Sequence, residues 1–533
     1  MFKKILKSVL AIALVATLGL TGCSNSKPAE SKIETTNKPV VINLEGEDVG
    51  YPTPFSHYSR GPGNYKMALI FDSLLERGEK GYIPWLADQW DISKDGLTYT
   101  FTLKKNVKWQ DGTPMTADDI KFSFDYFAKH PPVSNDLAVD NKSFIQSVEA
   151  VDAATVRFKV EKPLSILLGK IGNTRIIPKH IWEKVEDPLK FNTPEAAIGT
   201  GPFVLKDYNK EQGAYKFEAN KDFWGPKPMV DTLQFIPVSD SVLAFDKGEI
   251  DLTGNITTDI LPKYQNDKEY KVLQNPAFWG YRLIFNMDKR TELKDKDIRQ
   301  AFAYAIDKNE LVEKVARKAA VPGNAGYLPV GHVWFNPKAK NYEFDIEKAK
   351  QLLQGKKLSF KLLTSNSNNS SNSNNSNDEL RIAELLKISL AKAGIELSIN
   401  SADTKTRDAA VKKGNYEITL IGHGGWGGDA DLLRTAYSPQ MTSSQSPSAN
   451  SIPGYSNDQL NKLFEQQLYE MDAAKRKEIV FKIQELIAEE IPQIPLYNTT
   501  GYVVFKPAKF DGWKYMFDHH EVTHNKLSYL DVK

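Results

Sequence analysis

The stretch DGLTYTFTLKKNVKWQDGTPMTADDIKFSFDY, from Asp95 to Tyr126, carries both secondary-structure periods in one short span. Thr98–Leu103 (TYTFTL) alternates apolar and polar residues, which predicts a half-buried strand. Asp111-Gly112-Thr113-Pro114 is turn chemistry. Ala117–Phe127 (ADDIKFSFDYF) opens on acidic residues that suit a helix N-terminus, then turns apolar at helical spacing. Strand, turn and amphipathic helix in succession predict an α/β or α+β chain.

The same alternation of short strands and helices extends in both directions without a detectable repeat. Residues 297–317 and 457–490 carry long amphipathic patterns and predict helices. Residues 416–421 (YEITLI) and 358–363 predict strands. The segment 365–378 (SNSNNSSNSNNSND) is polar and low in complexity, with no means of burying surface, and predicts a loop ahead of a helix beginning near Glu379.

At the N-terminus, Lys3, Lys4 and Lys7 precede an apolar run that closes with Leu20-Thr21-Gly22-Cys23. The run is shorter than the roughly 20 residues that span a bilayer, so it reads as a cleaved secretion signal over 1–22 with a bacterial lipobox, and Cys23 as the lipid-bearing residue. Residues 23–40 then form a lipidated, flexible tether. This places the body outside the cytoplasmic membrane, anchored to its outer face.

About 510 residues remain, enough for two or three cores. With 69 Lys+Arg against 67 Asp+Glu, the net charge of +2 gives no electrostatic reason to expect nucleic acid. Cys23 is the only cysteine, which excludes disulfides and thiol chemistry once it is lipidated. The 9 Trp and 22 Tyr fit a ligand cleft or core packing alike.

Two motifs invite chemistry. His520-Glu521-Val522-Thr523-His524 matches H-E-x-x-H, which binds zinc when both histidines share a helix face. Here the downstream third ligand is missing and Val522-Thr523 favour strand, leaving His519, His520 and His524 as candidates for adventitious surface metal binding. Gly422-His423-Gly424-Gly425-Trp426-Gly427 fits G-x-G-x-x-G, but no acidic residue follows at the ribose-binding distance. It reads instead as a glycine-rich loop carrying His423, Trp426 and Asp429 into a cleft. Neither a G-x-S-x-G elbow nor a phosphate-binding G-x-x-x-x-G-K-[ST] loop occurs, so no catalytic residue, metal or cofactor is expected.

Phe71-Asp72-Ser73-Leu74-Leu75, Pro84-Trp85-Leu86-Ala87-Asp88-Gln89-Trp90 and the opening stretch resemble the first domain of the extracellular peptide/nickel-binding proteins of ABC importers. The resemblance continues through Gly199-Thr200-Gly201-Pro202-Phe203, Ala219-Asn220-Lys221-Asp222-Phe223-Trp224 and Lys247-Gly248-Glu249-Ile250-Asp251. It then reaches Ile298-Arg299-Gln300-Ala301-Phe302-Ala303-Tyr304-Ala305-Ile306-Asp307 and ends with Ile491-Pro492-Gln493-Ile494-Pro495-Leu496. It implies an α/β, two-lobed periplasmic-binding-protein-like fold, with a hinge and an extra inserted domain. One lobe comprises 41–72, 196–274 and 492–533, the inserted domain 73–195, and the second lobe 275–491.

The resemblance also implies a function without bond making: a monomeric receptor that captures a ligand outside the cell and hands it to a membrane permease driven by an ATPase subunit. Oligopeptide is the leading ligand, nickel chelate the alternative within the family, with oligosaccharide and a secreted zinc hydrolase as further alternatives. Peptide-binding relatives carry A-D-Y-x-D-P after the strand equivalent to 416–421, with an Asp that pairs with the peptide's amine. Aligning the later Asp on Asp429 puts Trp426 in the amine-binding place, whereas shifted alignments give the role to Asp429 or Asp431. In the nickel reading, His423 completes the coordination of a wrapped metal. By position, Phe278, Trp279 and Tyr281 flank the crossing into the second lobe and Asn286 ends that strand. His57, Tyr58 and Arg60 precede the first helix, and Arg175 is a lone charge among apolar neighbours that needs a partner.

Overall fold

Alternation in Thr98–Leu103 sends Tyr99, Phe101 and Leu103 to one buried face. In the computed structural model, which describes residues 38–57, 61–131, 133, 137–139, 142–366, 378–424, 427–438 and 452–532, this strand sits inside a four-stranded antiparallel sheet. Its companions, in sheet order, are Ala87–Ile92 on one side and Thr155–Val160 then Ile145–Asp152 on the other. The helix Ala117–Phe127 carries a capping box between Thr116 and Asp119 and buries Ile120, Phe124 and Phe127.

A second four-stranded sheet begins with Val41–Glu45, parallel to Thr232–Ile236, followed by Ala214–Ala219 and Phe203–Asn209. Leu252–Ile256, Tyr502–Phe505 and Lys271–Gln274 form a smaller three-stranded sheet. One continuous apolar core joins both four-stranded sheets to the tail residues Tyr529 and Leu530.

A second core fills a six-stranded mixed sheet. Its order is Ala320–Pro322, Gln493–Thr499, Trp279–Phe285, Ile418–Gly424, Leu358–Ser365 and Ile395–Ala402. Trp279–Phe285 is antiparallel to both neighbours, and Leu358–Ser365 parallel to both. The chain passes between the three-stranded and six-stranded sheets twice, after Gln274 and after Thr499. The two passages are tied where the Asn275 N–H donates to the Gly501 carbonyl at 2.8 Å.

Two expectations change. Gln493–Thr499 pairs with Trp279–Phe285, so the return passage comes at Thr500 and Gly501, a few residues after the expected start of the last segment at 492. Each long helical pattern is two helices: Lys296–Ala305 and Lys308–Lys314, then Asp458–Tyr469 and Ala473–Glu490. Asp307 and Asp472 end the continuity by capping the second helix of each pair. Among the described residues no helix is long and apolar enough to cross a membrane.

Candidate functional site

Where the chain leaves the three-stranded sheet, Phe278 and Trp279 come first, and Trp279 stands edge-on to Tyr281 with ring centroids 4.8 Å apart. Tyr281 is 1% exposed and also packs on Tyr497, so it supports Trp279 from the core. The neighbouring strand Ile418–Gly424 brings His423 opposite Gly280 and Gly424 opposite Trp279. The glycines here make room for aromatic rings: a Cβ on Gly422 would meet the Trp279 indole at 2.7 Å, and one on Gly427 the Phe278 ring at 2.3 Å. A Cβ on Gly424 would meet Trp279 at 2.8 Å and His520 at 3.0 Å, so the tail touches the end of this strand.

The two aspartates after the loop both meet arginines. Asp431 is buried, forms a two-pronged pair with Arg434 at 2.7 Å and accepts from the Gln467 amide at 2.8 Å. Burial opposes its ionisation, but Arg434 outweighs burial and holds the carboxyl below its usual range. Asp429 pairs with Arg476 at 2.7 Å and keeps 38% of its side chain exposed. Beside it, His332 contacts the Gly428 carbonyl at 3.1 Å, and burial pushes its pKa down to about 4.

A cavity of about 110 Å³ opens between the end of Val41–Glu45, the first helix Gly61–Ala68, the crossing residue Asn275 and the tail. Glu45, Glu47, Tyr65, Lys66, Glu521 and His524 supply its polar wall. Burial, reinforced by Glu47 and Glu521, raises the Glu45 carboxyl to about 8. Burial lowers the Lys66 ammonium to about 8, while the same two carboxylates oppose the shift.

The H-E-x-x-H segment forms one wall of this cavity. Val522–His524 is a short 3-10 turn, so His520 and His524 do not share an α-helical face. His519 and His524 are linked at 2.7 Å, His524 stacks on Tyr65 while His519 packs tilted against it, and His524 lies 3.0 Å from the Glu521 carboxylate. The expected surface placement is corrected: His519 and His520 are 5% and 8% exposed, because Tyr65 and the end of the six-stranded sheet cover them. Among the described residues no group of three or more His, Cys, Asp or Glu could hold a metal ion.

Arg175 finds its partner in Glu76, with Ser73 at 3.1 Å. Lys526 joins them, 2.6 Å from Glu76 and 2.5 Å from Asp72, which also accepts from Trp85 and Thr200. This is a buried bracket between the inserted sheet, the first lobe and the tail, away from the cavity's lining. Asn286 is likewise structural, donating to the Gly414 carbonyl and accepting from Asp288 and Lys289 N–H groups. The His57 ring bonds to the Thr53 carbonyl at 2.7 Å. Cys23, Tyr58, Arg60 and Trp426 lie outside the described residues.

Sequence reasoning missed Glu45, Glu47 and Lys66. The available signal was Glu45-Gly46-Glu47, acidic residues at the end of an otherwise apolar strand. Lys66 was hidden in a helix too short for its pattern to show which face is buried.

Two α/β bodies joined by two strand passages, with a charged cavity beside the passages, define a two-lobed binding protein. The chain belongs to the bacterial extracellular solute-binding proteins of family 5: the model described as "Bacterial extracellular solute-binding proteins, family 5 Middle" matches residues 81–444. It is 27% identical to Heme-binding protein A of Haemophilus influenzae, over 94% of this chain and 95% of that protein. It is also 27% identical to the Dipeptide-binding protein of Escherichia coli, over 84% of this chain and 86% of that protein. The crystal structure of NikZ from Campylobacter jejuni in complex with Ni(L-His) matches with a TM-score of 0.75 at 25% identity, covering 92% of this chain and 98% of that one.

Proposed function

We propose that the protein is the lipid-anchored receptor of an ABC importer, held by Cys23 on the outer face of the bacterial cytoplasmic membrane. It captures oligopeptides and delivers them to the permease and ATPase subunits as a monomer. The observation that carries this reading is the placement of a charged cavity beside the two strand passages, inside a chain that belongs to the family. Ligand contacts to both lobes favour the closed form, which is the form the permease reads. The similarity to the Dipeptide-binding protein supports peptide as the ligand.

Of the two aspartates, Asp429 is the one we assign to the peptide's ammonium, because it remains partly exposed beside Arg476, whereas Asp431 is enclosed by Arg434 and Gln467. The second reading is a nickel chelate, favoured by the register that puts His423 opposite Gly280, one residue before the end of its strand.

Calorimetry separates the two. The peptide reading predicts heat with free-amine peptides and a loss of roughly 3–5 kcal/mol on N-acetylation, because the carboxylate is left unpaired. It also predicts little effect of His423→Ala. Heat only with nickel and histidine together, abolished by His423→Ala, contradicts it.

A further inference from the structure

The side chain of Lys66 is 5% exposed and lines the cavity, yet among the described residues its ammonium has no hydrogen bond and no ion pair. It lies over the faces of Phe235 and Tyr215, with ring centroids 4.4 and 5.1 Å away. A cation held this way keeps part of its desolvation cost unmet, since aromatic faces attract it more weakly than a carboxylate does. The carboxylates that attract it at longer range are engaged elsewhere. Glu521 faces His520 and His524, Glu47 has an interaction of its own, and Asp48 accepts from Tyr208. Glu45, on the same cavity wall, has its pKa raised to about 8, so at neutral pH it is mostly a neutral acid with a proton to donate.

Resting on the peptide-receptor reading, we propose that the cavity is a carboxylate subsite: the Lys66 ammonium, with Glu45 on the same cavity wall, holds a carboxylate of the bound peptide. Neither group opposes an incoming anion, and both are donors below pH 8. The carboxylate comes either from the peptide's C-terminus or from an acidic side chain, and both present the same planar acceptor pair.

The groups facing this pair are Glu47 and Asp48 from the loop after the first strand, Asp240 ahead of the helix at 241–246, and Glu521 and His524 from the tail. Glu521 is held well below the usual carboxylate range by His524 and His520 despite its burial, so it stays charged between pH 7 and 9. The change over that range comes from Lys66 and Glu45, and both lose their donor proton. Carboxylate binding therefore weakens as pH rises through 8, and binding near pH 8 takes up protons.

The test is calorimetry on the full chain with paired peptides: a C-terminal acid against its amide, and a Glu-containing peptide against its Gln counterpart. The expected result is a preference of about tenfold or more for the carboxylate member of one pair, the pair naming its source. That preference falls between pH 7 and 9. Lys66→Met, which keeps the apolar stem over Phe235 and Tyr215, abolishes the preference. Lys66→Arg keeps much of the preference. Equal affinities within both wild-type pairs, or a preference that survives Lys66→Met, overturn the subsite while peptide binding itself stands. Binding of no peptide by the wild type overturns the peptide reading and the subsite with it.

Discussion

Glu76 shows how much one buried carboxylate can carry. Burial alone would raise its pKa, but Arg175 and Lys526 outweigh burial and hold it at about 2, against an ordinary 4.5. A carboxyl depressed in the folded state adds stability that is complete above its unfolded pKa. That stability is lost as pH falls from about 4.5 toward 2, and it amounts to about 3 kcal/mol. Glu76→Gln is expected to lower stability at pH 7 by roughly 3–5 kcal/mol, because Arg175 is left buried without its anion. It should also flatten the acid limb of urea-melt stability between pH 5 and 2. A variant as stable as wild type, with the same acid limb, contradicts this assignment. The sequence made half of this legible: Arg175 stands among apolar residues and needs a partner. The partner lies 99 positions earlier, and no local pattern reports a contact of that length.

At the scale of elements, the strand Thr98–Leu103 and the helix Ala117–Phe127 have the bounds their periodicities predict. Alternation and helical spacing are properties of a few consecutive residues, and both are strong here. The paired helices were read as single ones because the apolar phase continues across each break. Asp307 and Asp472, which set the breaks, look like ordinary surface acids until their side chains accept from the next helix's N–H groups. The glycine-rich loop was legible as a place of close approach, but not what approaches. Trp279 comes from the six-stranded body and His520 from the tail, and both close on Gly424. Gly424→Val should therefore crowd Trp279 within the six-stranded sheet and His520 of the tail, at a cost of about 1–3 kcal/mol. Peptide affinity is expected to fall by about ten- to a hundredfold, and the melting temperature of the ligand-free protein to fall with it. A large loss of melting temperature with affinity intact would assign this glycine to folding instead.

The whole molecule is where composition and periodicity fall silent. A sheet whose first strand is Val41–Glu45 and whose parallel neighbour is Thr232–Ile236 leaves no trace in either segment, because each strand reads alike whatever it pairs with. The lobe plan rests on the resemblance alone; the pairing of Gln493–Thr499 with Trp279–Phe285 puts the return passage at Gly501. At that passage a Cβ on Gly501 would lie 2.9 Å from the Asn255 backbone, so the return passage runs close against the strand Leu252–Ile256. In the receptor reading we propose, the two short, adjacent passages are the hinge about which the lobes rotate while each core stays intact. We propose that this rotation closes on a peptide at the outer face of the membrane. The most direct test is native mass spectrometry of the full-length protein extracted from membranes of a lipidating host. The predicted spectrum shows a chain beginning at Cys23 with a diacylglycerol adduct, carrying a noncovalent peptide that leaves on collisional activation. An unlipidated chain, or one carrying nickel with small chelators or a neutral sugar in place of peptide, contradicts it.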